Sequence, residues 1–136
     1  MSQVIEIVKK GFDGQVDFYE RRAGLWQLIF PVFHEDGDMI DIFVSSSPTK
    51  NGWVRIKDMG LTLMRLSYVF EVNTPTKERI LETLLVQNGV MEDEGEFYLD
   101  SPPDMVLPKC DAICRLSAKG LQYEAMAKGY YQVFVL

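Results

Sequence analysis

Hydrophobic and polar positions alternate with a period of two through the first half of the chain, and recur at helical spacing on either side of that stretch. The amino-terminal helical pattern covers residues 2–12: Val4, Ile5 and Val8 form an apolar stripe that Phe12 extends, Ser2 is placed to cap it and Gly11 or Gly14 to end it. Residues 16–22 then read as a strand, Ala23-Gly24 as a turn, and residues 25–33 as a strongly apolar strand covered on both faces. Pro31 has no N–H to give to a ladder, so a bulge or an edge is expected there. The Asp36-Gly37 pair inside Glu35-Asp36-Gly37-Asp38 marks a tight hairpin turn.

Residues 39–45 and 53–58 form the next two predicted strands, joined by a loop that holds Pro48 and Asn51-Gly52. Ile40, Ile42, Val44, Val54 and Ile56 fall on one face; Asp41, Phe43, Trp53, Arg55 and Lys57 fall on the other. Keeping the apolar faces together allows Ile42 to oppose Ile56, with Asp41 opposite Lys57, or Val54, with Asp41 opposite Arg55. Either register sets a carboxylate against a cation, a pair worth about 0.2–1 kcal/mol. After Asp58-Met59-Gly60, where Gly60 is expected to take a backbone angle other residues avoid, residues 61–70 read as a helix. Asn73-Thr74-Pro75 starts another, with Thr74 as cap, Ile80, Leu81, Leu84 and Leu85 inward, and Gly89 as its stop. Val90-Met91 and residues 96–99 make a small hairpin, and a last helix spans about 108–128 with Cys110, Ile113, Cys114, Leu116 and Leu121 on one side. Residues 129–136 are apolar and β-prone, so they pair within the sheet or join a partner chain. The expected architecture is α+β: a single domain over residues 1–136 with a twisted antiparallel sheet of four or more strands and helices packed on one face.

Composition narrows the chemistry. With 47% hydrophobic and 25% charged residues the chain can build an ordinary core. A net charge of −6 repels phosphate backbones, which makes nucleic acid an unfavoured partner and leaves protein as the expected one. Two cysteines four residues apart, Cys110 and Cys114, suit free thiols in a reducing compartment, and a cytoplasmic location is expected. The first six residues show no basic leader followed by an apolar run, so no secretion signal is expected. The longest apolar runs are too short to span a bilayer.

The stretch Gly37-Asp38-Met39-Ile40-Asp41-Ile42-Phe43-Val44, followed by Trp53-Val54-Arg55-Ile56-Lys57-Asp58-Met59-Gly60-Leu61-Thr62-Leu63, resembles the bacterial and phage domain known as domain of unknown function 1828. That family pairs a D-x-I-x-I-x-V strand with a strand ending in D-x-G-x-T-L. Asp38 or Asp41 serves the first part; Asp58, Gly60, Thr62 and Leu63 match the second. The likeness covers about residues 16–126, and Met59 stands where members often carry a second acidic residue. It implies a prokaryotic or mobile-element origin and no chemistry.

Several side-chain groups are candidate sites. A nuclease-like centre would use Asp41 and a Glu-x-Lys pair on the next strand to hold a divalent cation and set a lysine beside the attacking water. The next strand reads Arg55-Ile56-Lys57, and strand parity puts Asp58 on the face opposite Asp41. The plainer expectation is a cross-strand ion pair, with Asp58 capping the turn that follows. His34, beside Asp36 and Asp38, has no matched nucleophile; with Cys110 and Cys114 it makes an incomplete zinc set, so no metal and no cofactor is expected. Glu92, Asp93, Glu94, Glu96, Asp100 and Asp104 read as a solvated turn or as a contact for a basic protein, with mimicry of a phosphate row as the sharper alternative. Phe43, Trp53, Arg55 and Lys57, with Asp41, Asp58 and Tyr19, could grip a peptide or stack bases. The competing expectation is a helix over the aromatics with the charges at the edge. The function expected is a small non-enzymatic interaction module, with a degenerate metal-dependent nuclease and an acidic mimic as alternatives, and with self-association through the tail.

Overall fold

The computed structural model describes residues 2–33, 39–66 and 73–116. One six-stranded antiparallel sheet runs through it in the order β1-β2-β3-β4-β6-β5. The strands are β1 (Asp17–Arg22), β2 (Leu25–Phe33), β3 (Met39–Ser46), β4 (Val54–Lys57), β5 (Met91–Asp93) and β6 (Glu96–Ser101). The helices are α1 (Ser2–Gly11), α2 (Leu61–Leu66), α3 (Pro75–Gln87) and α4 (Val106–Arg115), the last preceded by a 3-10 turn at Pro103–Met105. The α+β architecture is therefore as the alternation of apolar positions requires. The expected turn at 35–38, His34, residues 67–70 of the helix after Gly60, residues 117–128 of the last helix and the tail 129–136 lie outside the described residues.

Side chains of alternating parity segregate as a half-buried sheet demands. Leu28, Phe30, Ile40, Ile42, Val44, Val54, Ile56, Phe97 and Leu99 are all buried on one face. They share one core with Val4 and Val8 of α1, Leu81, Leu84 and Leu85 of α3, and Val106, Cys110, Ile113 and Cys114 of α4. The described helices thus form a single layer over a single face. Phe12 closes that layer edge-on to Phe30, with ring centroids 4.9 Å apart. At the end of α1 a side chain on Gly11 would strike Leu107 at 2.5 Å, so the absence of a Cβ lets α1 and α4 meet.

Local signals set the element ends. Thr74 caps α3, its hydroxyl accepting from the Lys77 N–H at 3.2 Å, and Pro75 opens the helix where no N–H is needed. The β2–β3 register shifts between Phe30 and Phe33, which is the bulge that Pro31 forces. Glu94 and Gly95 both take positive φ in the β5–β6 turn, a two-residue hairpin connection.

The observed register corrects the two pairings open from the sequence. Val44 opposes Ile56 and Phe43 opposes Lys57, so Asp41 lies beyond the β3–β4 ladder and faces Ile29 of β2. Arg55 is flanked by Ser45 and, on its other side, by Asp100 of β6. The expected Asp41 pair with Lys57 or Arg55 is not formed. The apolar faces match in all three registers, so packing alone left the choice open. Insertion of β6 beside β4 supplies Arg55 with a carboxylate.

Candidate functional site

Asp58 sits at the end of β4 on the covered side and is fully buried. Its Oδ1 accepts the N–H groups of Gly60 and Phe97, both at 2.9 Å, and its Oδ2 accepts the N–H of Thr62 at 3.1 Å. One carboxylate therefore ties the turn after β4, the start of α2 and strand β6 together. Met59 at φ 57° and Gly60 at φ 82° bend the chain back so that these N–H groups converge. In this chain the D-x-G-x-T pattern is thus a structural staple: the spacing of Asp58, Gly60 and Thr62 lets one carboxylate take up the N–H groups of the turn that follows it.

The opposite face carries a different set. The middle row runs across all six strands as Tyr19, Gln27, Phe43, Lys57, Tyr98 and Met91. No described helix packs on this face, and Phe43, Trp53 and Tyr98 are half-exposed. The expectation of a helix over these aromatics is not met among the described residues. Tyr19 is 45% and Met91 58% exposed, so the row ends in solvent on both sides. Cations lie on the rings: Arg55 Cζ is 3.9 Å from the Tyr98 centroid, Lys50 Nζ 4.2 Å from that of Trp53, and Arg21 Cζ 5.1 Å from that of Tyr19.

Arg55 and Asp100 form a two-pronged ion pair, Nε to Oδ1 at 2.9 Å and Nη2 to Oδ2 at 3.0 Å. The hydrogen bond from Arg55 holds the Asp100 carboxyl below its ordinary range against the opposing effect of burial, and the same bond raises the Arg55 guanidinium. Asp100, expected from the sequence among the solvated carboxylates of residues 92–104, is instead half of this pair. The signal was present in the alternation of Phe97, Leu99 and Ser101 with Tyr98 and Asp100, which extends β6 past Leu99 and puts Asp100 on the face of Arg55.

Of the predicted binding residues, the structure brings Asp41, Phe43, Trp53, Arg55 and Lys57 to one face and leaves Asp58 on the other. The nuclease-like arrangement needs Asp41 and Asp58 to share a cation, and the sheet separates them. Among the described residues no three His, Cys, Asp or Glu side chains converge as a metal site would require. The six acidic residues do not make one ridge either. Glu92 opposes Phe97, whereas Asp93 and Glu96 oppose each other on the alternate parity; Glu94 is in the turn, Asp100 is neutralised, and Asp104 belongs to the 3-10 turn. Cys110 and Cys114 are free and buried in the core; burial pushes Cys110 up to about 12 and Cys114 higher, so both thiols stay protonated and unreactive. A cavity of about 630 Å³ lies along α1 and is lined by Gln3, Glu6, Ile7, Lys9 and Lys10 with Asp13 and Gly14, an open and weakly featured groove. Among the described residues, no helix is long and apolar enough to cross a membrane.

The family model for Domain of unknown function DUF1828 matches residues 30–124. No curated protein and no solved structure matches the chain.

Proposed function

This chain belongs to the DUF1828 family, and from that premise we propose that it is a non-enzymatic protein-binding module whose contact surface is the sheet face that the described helices leave uncovered. The observation that supports this reading is the middle row, in which Tyr19, Phe43, Tyr98 and Met91 point away from the core at strand positions open to water. Aromatic side chains with cations over their rings present a large contact area that needs little ordering on binding. Several groups that a catalyst could use are held in structural roles: Asp58 by three N–H groups, Asp100 by Arg55, and both thiols in the core.

Protein is favoured over nucleic acid because the chain carries a net charge of −6 and two carboxylates, Asp17 and Asp41, flank the aromatic row. Two buried free thiols suit a reducing compartment, which supports a cytoplasmic location in a bacterial or phage-infected cell. The test is affinity capture from the native cell, with mass spectrometry, using the wild-type chain, Phe43→Glu with Tyr98→Glu, and Val86→Glu. Val86 is 79% exposed on α3, away from the sheet, and serves as the control. The reading expects a partner retained by wild type and Val86→Glu and lost by the double variant. Equal retention by all three would place the contact elsewhere.

A further inference from the structure

We infer that the uncovered face takes a second copy of this chain, stacked sheet on sheet about a twofold axis that runs across the strands along the aromatic row. The inference rests on the reading of that face as a protein contact and names its occupant. Charge is segregated along the strands on this face. Toward one end the register sets Asp17, Ile29 and Asp41 side by side on β1, β2 and β3, and Asp93 beside Glu96 on β5 and β6. Toward the other end lie Arg21, held against Tyr19 and Gln27, and Lys50, held over Trp53. Arg55 and Asp100 at that end cancel one another. Glu20, next to Arg21, opposes Trp26 and so belongs to the parity of the covered face. The uncovered face therefore has an acidic end, an aromatic middle and a basic end.

A surface of that kind is complementary to itself. Rotation by half a turn about the middle row leaves each strand over its own counterpart and exchanges the two ends. Asp17 of one copy then comes over the Arg21 region of the other, and Asp41 over the β3–β4 loop that carries Lys50. Tyr19, Phe43, Tyr98 and Met91 fall along the axis and become the buried centre. Lys57, in the same row, falls on the axis opposite its own counterpart, the one like-charge contact of the pairing, with Asp41 and Glu96 one pleat away on the strands to either side. Two sheets packed this way would stand about 10 Å apart with strands within about 30° of alignment. Six strands spaced about 4.8 Å apart, each about five residues long, give a flat footprint on the order of 450 Å² before side-chain relief is counted. That is within a factor of two of the roughly 800 Å² per partner of a standard interface.

Sedimentation velocity on the full chain tests this with two charge-reversed variants, Arg21→Glu with Lys50→Glu, and Asp17→Lys with Asp41→Lys. Wild type is expected to be a dimer at about 50 µM, weakening as salt rises. Across β1 to β3 the first variant carries acid at both ends and the second base at both ends, so each alone is expected to weaken association by about 100-fold or more. Mixed one to one, they are expected to restore a dimer containing one of each. Circular dichroism on each variant separates lost association from lost folding. A wild-type monomer at about 50 µM overturns the inference, as do variants that dimerise like wild type, which would move the contact to another surface such as the segment 129–136. A monomeric chain that still retains a different protein through Phe43 and Tyr98 would overturn the self-pairing and leave the protein-binding reading standing; loss of both would remove both.

Discussion

The two faces of the sheet are built from the same strands and hold their polar groups in opposite ways. On the covered face one carboxylate, Asp58, is enclosed with nine large apolar strand residues, and each of its oxygens is engaged by backbone N–H groups. On the face that the described helices leave uncovered, no hydrogen bond among the described residues anchors Asp17, Asp41, Asp93 or Glu96, and the aromatics of the middle row are half-exposed or exposed. Burial forces every polar group to be satisfied internally, so the covered face can tolerate only a carboxylate that does structural work. The uncovered face is under no such demand, and its charges and rings are free to meet another molecule. A signature motif found on the first kind of face reports folding; chemistry or recognition belongs on the second.

Substitutions at matched positions put the contrast on a scale. Phe97→Ala on the covered face is expected to cost about 3–5 kcal/mol, read from denaturant unfolding, because it empties a fully buried ring site. Asp58→Ala is expected to cost about 3 kcal/mol, since three N–H groups would lose their acceptor in a buried setting. An effect below about 1 kcal/mol would erase the distinction drawn for Asp58. Gly60→Ala should cost about 1–2 kcal/mol through its φ of 82° alone, because the nearest atom a Cβ would meet, the Gly95 carbonyl oxygen, stands at an ordinary contact of 3.8 Å. Asp100→Asn on the other face should cost about 1 kcal/mol, as the pair with Arg55 is only partly withdrawn from water.

The Arg55–Asp100 pair also sets a pH dependence. The Asp100 carboxyl is held below its unfolded value of about 3.9, so the stability it confers is present above that pH and is lost as pH falls through the lower folded value. Acid titration of the unfolding free energy should therefore show a drop below pH about 4 that is smaller in Asp100→Asn. An identical acid limb in both proteins would mean that the pair contributes nothing to folding.

Much of this was legible in the sequence because two periodicities dominate it. The segregation of Ile40, Ile42, Val44, Val54 and Ile56 from Asp41, Phe43, Arg55 and Lys57 follows from a repeat of two, and Thr74-Pro75 carries its own capping chemistry. The register was not legible, because a slip of two residues keeps every apolar side chain inward. The partner of Arg55 was not legible as such, because it arrives from β6 after two intervening helices, and nothing local announces which strand will lie beside β4. The face of Asp58 was readable from parity. The use of its oxygens was readable only in part: Gly60 and Thr62 are neighbours in sequence, whereas the Phe97 N–H comes from 39 residues away.

The contrast between the faces is tested most directly by the unfolding free energy of Phe43→Thr, measured beside Phe97→Ala at low protein concentration where the chain is a single copy. Threonine keeps the strand preference and removes the ring. The account predicts a loss of about 1 kcal/mol or less for Phe43→Thr, several-fold below that of Phe97→Ala; equal losses at the two positions would mean that both faces are core, and would contradict it.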